Sequence, residues 1–181
     1  MELKLPGRHN VLNALAATAV AISAGASLTD VRHGLEAMQP VAGRLHPQTS
    51  ESGAVVIDDT YNANPSSLQA GIDVLTSYAG KHLLVLGDMG ELGEDSQEMH
   101  AEMGAYARQA GVHELFCLGE LSHAAADAFG QGAECFTEKT ALINALKQHM
   151  AEGMTILIKG SRRMRMEQVV QALVKNGEAK E

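Results

Sequence analysis

From about residue 54 onward the chain alternates between short apolar runs and longer amphipathic stretches, and few architectures satisfy that alternation. The runs at residues 54–58, 82–86, 114–118, 133–136 and 155–158 are apolar on both faces of an extended strand. Between and after them, residues 66–78, 96–110, 121–129, 138–151 and 164–175 carry apolar side chains at helical spacing. Strands that lack a polar face need cover on both sides, and intervening helices supply it. Right-handed crossovers then lead to an α/β fold: a doubly wound, Rossmann-like, mostly parallel sheet. With no Trp, three Tyr and three Phe, the core between the layers has to be aliphatic.

In such a sheet the carboxyl ends of the strands share one edge, and ligands bind there. Val85-Leu86-Gly87-Asp88, Cys117-Leu118-Gly119 and Ile158-Lys159-Gly160 each pass from apolar strand into glycine and polar residues; Val56-Ile57-Asp58-Asp59 does so without the glycine. Residues 58–65, 87–93 and 159–163 are therefore expected side by side. The first 40 residues differ. Residues 10–24 read as an Ala-rich helix closed by Gly25, and 27–38 as a second helix capped by Ser27 or Thr29. Two helices make no core of their own, so Val11, Leu12, Leu15, Val20 and Ile22 lack an evident partner surface. Pro40, Gly43 and Pro47 mark a linker. The expected organisation is residues 1–40 as closing helices of a preceding domain, 41–47 as linker and 48–181 as a C-terminal α/β domain.

Composition excludes several functions. A net charge of −8 argues against nucleic-acid binding, which needs Lys and Arg to neutralise phosphates. The one basic cluster, residues 159–165, is short and suits a local phosphate or carboxylate. Residues 11–24 are too few and too Ala-rich for a membrane span, so no membrane insertion and a cytoplasmic location are expected. Cys117 and Cys135 each sit in a strand run without a CxxC neighbour and read as reduced core thiols. His46, His82, His100, His113, His123 and His149 are scattered without ligand spacing, so no metal site is expected.

The segment Asp58-Asp59-Thr60-Tyr61-Asn62-Ala63-Asn64-Pro65 is the densest in functional groups. Two carboxylates, a phenol and two side-chain amides follow a buried strand directly, and Pro65 and Ser66 open a helix whose N-terminal amides face the same edge. Such groups can hold a ribose, a metal-bound phosphate or an amine. A helix cap with an Asx-turn would use the same residues.

Five segments in register resemble the Mur ligase family along nearly the whole chain. Gly7-Arg8-His9-Asn10-Val11-Leu12-Asn13 is similar to the segment that ends the family's central domain, and Gly43-Arg44-Leu45 to the one that opens its C-terminal domain. Residues 58–65, Gly87-Asp88-Met89-Gly90-Glu91-Leu92-Gly93 and Lys159-Gly160-Ser161-Arg162 complete the series. The Tyr-Asn-Ala-Asn-Pro and Gly-Asp-Met forms are similar to members that add D-alanyl-D-alanine to UDP-N-acetylmuramoyl-tripeptide in peptidoglycan precursor synthesis. The Asp-Asn-Pro-Arg motif expected of diaminopimelate-adding members does not occur.

The resemblance implies ATP-dependent, Mg2+-requiring ligation through an acyl phosphate. It implies that His9, Asn10 and Asn13 lie at the nucleotide, with Asn10 and Asn13 on adenine, and that Arg44 reaches the ATP phosphates. Asp59 would fix the ribose, with Asp58 structural. Tyr61, Asn62 and Asn64 would line the cleft; Asp88 and Glu91 would attract the dipeptide ammonium; Lys159, Ser161 and Arg162 would suit its carboxylate or a phosphate. Met164 and Met166 read as packing residues. No Gly-x-x-x-x-Gly-Lys-[Ser/Thr] loop is present to cradle phosphates, so this chain alone is expected to be inactive without the family's N-terminal and central domains. Two other readings compete: a free nucleotide- or dipeptide-binding module, and a related amide ligase such as folylpolyglutamate synthetase, against which residues 61–64 speak.

Overall fold

A computed structural model of the chain describes residues 2–174, except for the side chain of His9, and divides into two units, Met1–Val41 and Ala42–Glu181. Lys175, the last residue of the helix expected at 164–175, lies outside the described residues.

The first unit holds helices α1 (Arg8–Ser23) and α2 (Leu28–Ala37). Ser27 rather than Thr29 caps α2: its hydroxyl accepts the Asp30 amide while the Asp30 carboxylate accepts the Ser27 amide. The Ser27 hydroxyl also donates to the Asp30 carboxylate, and that bond first, then the one from the Ser27 amide, holds the Asp30 carboxyl below its ordinary value. Ala14 and Leu35 are buried, whereas Val11, Leu12, Leu15 and Val20 are all more than half exposed.

The second unit contains β1 (His46–Thr49), β2 (Val55–Asp59), α3 (Pro65–Thr76), β3 (Lys81–Gly87), α4 (Ser96–Gln109), β4 (Glu114–Leu118), α5 (Ser122–Phe129), β5 (Ala133–Phe136), α6 (Lys139–His149), β6 (Met154–Lys159) and α7 (Glu167–Leu173). They build one sheet in the order β1-β2-β6-β3-β4-β5, parallel except for β1. Five strands follow the apolar runs. The sixth, β1, has the sequence His-Pro-Gln-Thr, which carries no apolar signal; it exists through backbone pairing to β2 at the sheet edge, where a proline is tolerated. The last helix also starts later than its periodicity suggests. A 3-10 turn at Arg162–Met164 and a left-handed Arg165 (φ 49°) come first.

Strand alternation explains the all-apolar runs. Ile57, Leu84, Leu86, Leu115, Cys117 and Leu157 meet α3, α4 and α5 on one face; Val56, Leu83, Val85, Phe116, Leu118, Ile156 and Ile158 meet α6 and α7 on the other. Helices α4 and α5 pack so closely that a Cβ on Gly104 would lie 2.0 Å from the Ala125 carbonyl oxygen. The expectation of two core thiols needs correction. Cys117 is buried, and burial pushes its thiol well up, but Cys135 is exposed because β5 is the outer strand and is only partly covered.

Strand β6 lies between β2 and β3. The chain leaves β2 and β3 for helices on one face, and leaves β6 for α7 on the other. The carboxyl end of β6 is therefore the switch point of the sheet, where diverging connections open a crevice.

Candidate functional site

Three of the sequence motifs meet at that switch point. Asp59 ends β2, Lys159 ends β6, and the two are register partners. The Lys159 ammonium, whose side chain is 2% exposed, pairs with Asp59 Oδ2 at 2.5 Å and donates to the Asn62 carbonyl at 3.0 Å. Asp59 Oδ1 accepts the Leu45 amide at 3.2 Å, so both of its oxygens are engaged within the protein. Asp58 is engaged as well: it accepts the Gly43 amide (2.9 Å), the Thr60 amide (3.2 Å) and the Thr60 hydroxyl (2.6 Å). The adjacent carboxylates thus pin the turn Gly43-Arg44-Leu45 from two sides. Gly43 (φ 77°) also accepts the Tyr61 amide through its carbonyl, and a Cβ there would sit 3.2 Å from the Tyr61 nitrogen. Leu45 takes φ 47°, an uncommon conformation for a side-chain-bearing residue.

What the pinned turn presents is Arg44. Its guanidinium carbon lies 4.4 Å from the centre of the Tyr61 ring, and both residues are exposed. Ring and cation attract, so Tyr61 shelves the Arg44 head toward solvent while leaving its N–H groups free to meet an anion. Asn62 is exposed, with its side-chain oxygen on the Ala63 amide. Asn64 is the N-cap of α3: its side-chain oxygen accepts the Ser67 amide and the Ser66 hydroxyl, and Ser67 returns the bond. The capping use of the motif is therefore realised at Asn64.

Across β6, the loop after β3 is held just as firmly. Asp88 is buried; its Oδ1 accepts the Ser122 amide at the start of α5, and its carbonyl accepts the Ser161 amide. Met89 is fully buried and donates its amide to His100 Nε2 at 2.9 Å, while His100 Nδ1 bonds to the Ser96 carbonyl at 2.6 Å. His100 must then carry its ring proton on Nδ1. This residue was not legible as functional, because nothing in its spacing shows that an α4 side chain reaches back four residues and across to a loop. Glu91 stands exposed with φ 62°. Ser161 is buried, and its hydroxyl has no hydrogen-bond partner. Met166 is fully buried and packs on Gly87 and Gly160, where added Cβ atoms would meet it at 3.0 and 2.8 Å; Met164 is half-buried against the same core.

The grouping of Lys159, Ser161 and Arg162 into one basic site is not what the structure shows. Lys159 is internal and neutralised. The Arg162 side chain is 68% exposed and turns toward Glu167 (4.0 Å), lining a cavity of about 380 Å3 together with His46, Asp58, Tyr61 and Gln171. The reason is the 3-10 turn, which separates neighbouring side chains by about a third of a revolution. In the first unit, Asn10 donates to the Pro6 carbonyl (2.7 Å), and Asn13 lies 3.5 Å from the Asn10 side-chain oxygen, so the pair does share a helix face. The side chain of His9 is outside the described residues.

Comparison with known proteins adds three findings. Residues 43–162 match the family model described as "Mur ligase, glutamate ligase domain". The chain is 46% identical over 177 residues to the UDP-N-acetylmuramoyl-tripeptide--D-alanyl-D-alanine ligase of Escherichia coli (strain K12), covering 97% of this chain and 39% of that protein. Among solved structures it resembles MurF from Acinetobacter baumannii (TM-score 0.81, 36% identity, 93% of this chain and 39% of that one). It also resembles the MurF ligase of Thermotoga maritima in complex with ADP (TM-score 0.82, 25% identity, 93% and 38%). The chain thus spans about two-fifths of the length of the relatives it matches.

Proposed function

Because the chain belongs to the Mur ligase family, we propose that it forms the C-terminal part of the ligase that joins D-alanyl-D-alanine to UDP-N-acetylmuramoyl-tripeptide at the expense of ATP. The observation that carries this reading is the 46% identity to a ligase of that name over 97% of the chain. On this reading residues 1–40 close the central ATP-binding domain, 41–47 link, and 48–181 form the amine-side domain; the ligase works in the cytoplasm in peptidoglycan precursor synthesis.

In the reaction, the terminal carboxylate of the tripeptide takes the γ-phosphoryl group of ATP to give an acyl phosphate. The dipeptide amine attacks the acyl carbon, and the tetrahedral intermediate collapses to an amide and phosphate. The task of the protein is to hold anions in place and to meet negative charge as it develops. Arg44, shelved on Tyr61, is the cation offered to phosphate. Asp58, Asp59 and Lys159 act on it at one remove, by fixing the turn that carries it. Asp88 fixes the loop that presents Glu91, whose free carboxylate suits the incoming ammonium. Asn10, Asn13 and His9 would serve the adenine side of the ATP. Mg2+ would accompany the ATP phosphates. Among the described residues no group of three or more His, Cys, Asp or Glu side chains is placed to hold a metal.

The test is phosphate release from ATP with the UDP-linked tripeptide and D-alanyl-D-alanine, first with this chain and then with a separately expressed remainder of a matching ligase. Dipeptide-dependent release only in the mixture is expected. Release that ignores the dipeptide, or none from two folded pieces, would overturn the assignment.

A further inference from the structure

Cys117 and Cys135 stand side by side. They are register partners on the adjacent parallel strands β4 and β5, and register partners point to the same face of a sheet. That face is the one α5 covers: Cys117 packs in the core with Ala125, Ala126 and Phe129, and Asp127 of the same helix acts on Cys135. The two thiols are within hydrogen-bonding reach, Cys117 donating and the Cys135 sulfur accepting. Their surroundings differ. Cys117 is 0% exposed, whereas Cys135 is open to solvent on the outer strand. A small oxidant can reach Cys135 directly, and Cys117 only by way of it. Neither residue has a part in the function proposed above.

The backbone allows a bond between them. Neighbouring strands run about 4.8 Å apart, which puts the two Cα atoms inside the roughly 4.4–6.8 Å range of disulfides. Parallel partners hold their Cβ atoms at nearly the same spacing, wider than the about 3.8 Å a disulfide favours, so the strands have to close slightly. Strand β5 can do so, since it pairs with β4 alone. A bond that has to draw two strands together is also one that reductants open easily.

We propose that Cys117 and Cys135 form a reversible dithiol–disulfide pair, a site of oxidation by peroxide at the outer edge of the sheet. Cys135 is the entry point. Its thiolate attacks one peroxide oxygen, the O–O bond breaks, and the departing hydroxide takes a proton to become water, leaving a sulfenic acid on Cys135. The Cys117 sulfur then attacks the Cys135 sulfur; the S–O bond breaks, and the departing hydroxide takes the Cys117 proton as a second water. The two thiols lose two electrons and the peroxide gains two; a dithiol reductant reverses the change. Burial above all, then the Asp127 carboxylate, push the Cys135 thiol above its ordinary 9.0, although the bond from Cys117 works the other way. The reaction is accordingly slow at neutral pH and quickens as pH rises. Its effect reaches the working edge of the sheet. Ser122 and Asp88 both act on Cys117, and the Ser122 amide holds Asp88 Oδ1, so drawing Cys117 toward β5 pulls on the joint between the loops after β3 and β4.

The experiment treats the full chain, reduced beforehand, with hydrogen peroxide and follows both cysteines by peptide mass mapping. The expected product is a cross-linked peptide holding Cys117 and Cys135, with both thiols lost together and both recovered by dithiothreitol. The rate should rise roughly tenfold per pH unit up to about pH 9, as the thiolate fraction does below a raised pKa. In Cys135→Ser, a conservative change at an exposed position, Cys117 should keep its thiol roughly tenfold longer, because burial leaves it no other route to the oxidant. Oxidation of Cys135 alone to sulfinic acid, a dimer joined through Cys135, or equal loss of Cys117 in wild type and Cys135→Ser overturns the pair. So do two intact thiols under conditions that fully oxidise a peptide with two exposed cysteines. The Ser122 amide should exchange hydrogen several-fold faster in the oxidised chain, and unchanged exchange overturns the link to the working edge.

Discussion

Breaking the ion pair between Asp59 and Lys159 should be among the costliest single changes in the domain. The side chains are 11% and 2% exposed, and the ammonium sits against one carboxylate oxygen and one backbone carbonyl. Removing one charge leaves the other buried and uncompensated, which costs about 3–5 kcal/mol. The lower end applies here. Lys159 keeps the Asn62 carbonyl and Asp59 keeps the Leu45 amide, so neither group is stripped of all its partners. Lys159→Met and Asp59→Asn are each expected to lose about 3 kcal/mol, because one charge is orphaned in either case. In urea that lowers the unfolding midpoint by about 1–2 M for a slope of about 2 kcal/mol/M. The double variant leaves no unpaired charge at this site and should return to within about 1 kcal/mol of wild type, so the two losses must not add. Urea unfolding of the four proteins by circular dichroism, with the slope held common, reads this directly. Single variants within about 0.3 M of wild type, or a double variant as unstable as the sum of the singles, would refute a buried, mutually dependent pair.

Three further outcomes follow from the same structure. His100→Ala removes the acceptor of the Met89 amide and opens a cavity, and should cost about 2–4 kcal/mol with a marked rise in hydrogen exchange at Met89; unchanged exchange there would remove His100 from the loop's support. Gly104→Ala forces a Cβ to 2.0 Å from the Ala125 carbonyl and should cost about 3 kcal/mol or more, whereas Gly34→Ala meets nothing within 4 Å in α2 and should stabilise by a few tenths; equal melting temperatures for the two would contradict the α4–α5 contact. Burial alone would push the Glu114 carboxyl up, but hydrogen bonds from Lys81 (2.9 Å) and His149 (2.6 Å) outweigh it and hold the carboxyl below its ordinary value of 4.5. Its contribution to stability is then complete above that value and is lost as pH falls through the lowered one. The stability difference between wild type and Glu114→Gln should therefore shrink on acidification below 4.5, and a difference constant with pH would exclude the pairing.

The strands that lie inside the sheet were legible because burial on two faces admits only apolar residues, and a run such as Leu83-Leu84-Val85-Leu86 has no other explanation in a chain of this charge. Strand β1 was not legible, since an edge strand is held by its backbone and leaves His46-Pro47-Gln48-Thr49 unconstrained in hydropathy. The convergence of residues 58–65, 87–93 and 159–163 followed from topology alone, because parallel strands deliver their carboxyl ends to one edge. Which side chains face outward there did not follow. Asp59, Lys159 and Asn64 carry the same polar signature as Arg44 and Glu91, yet the first three are spent on one another and on backbone groups. Hydrogen-bond partners far apart in the chain, 100 residues in the case of Lys159 and Asp59, are invisible to spacing. So is the rotation of a 3-10 turn that sends Arg162 toward Glu167 and leaves Arg163 beside Gly90. Apolar patterning and turn residues determined the layers and the working edge, since both act through local periodicity; only the packed structure decided which polar groups were consumed in building that edge and which were left to meet a ligand.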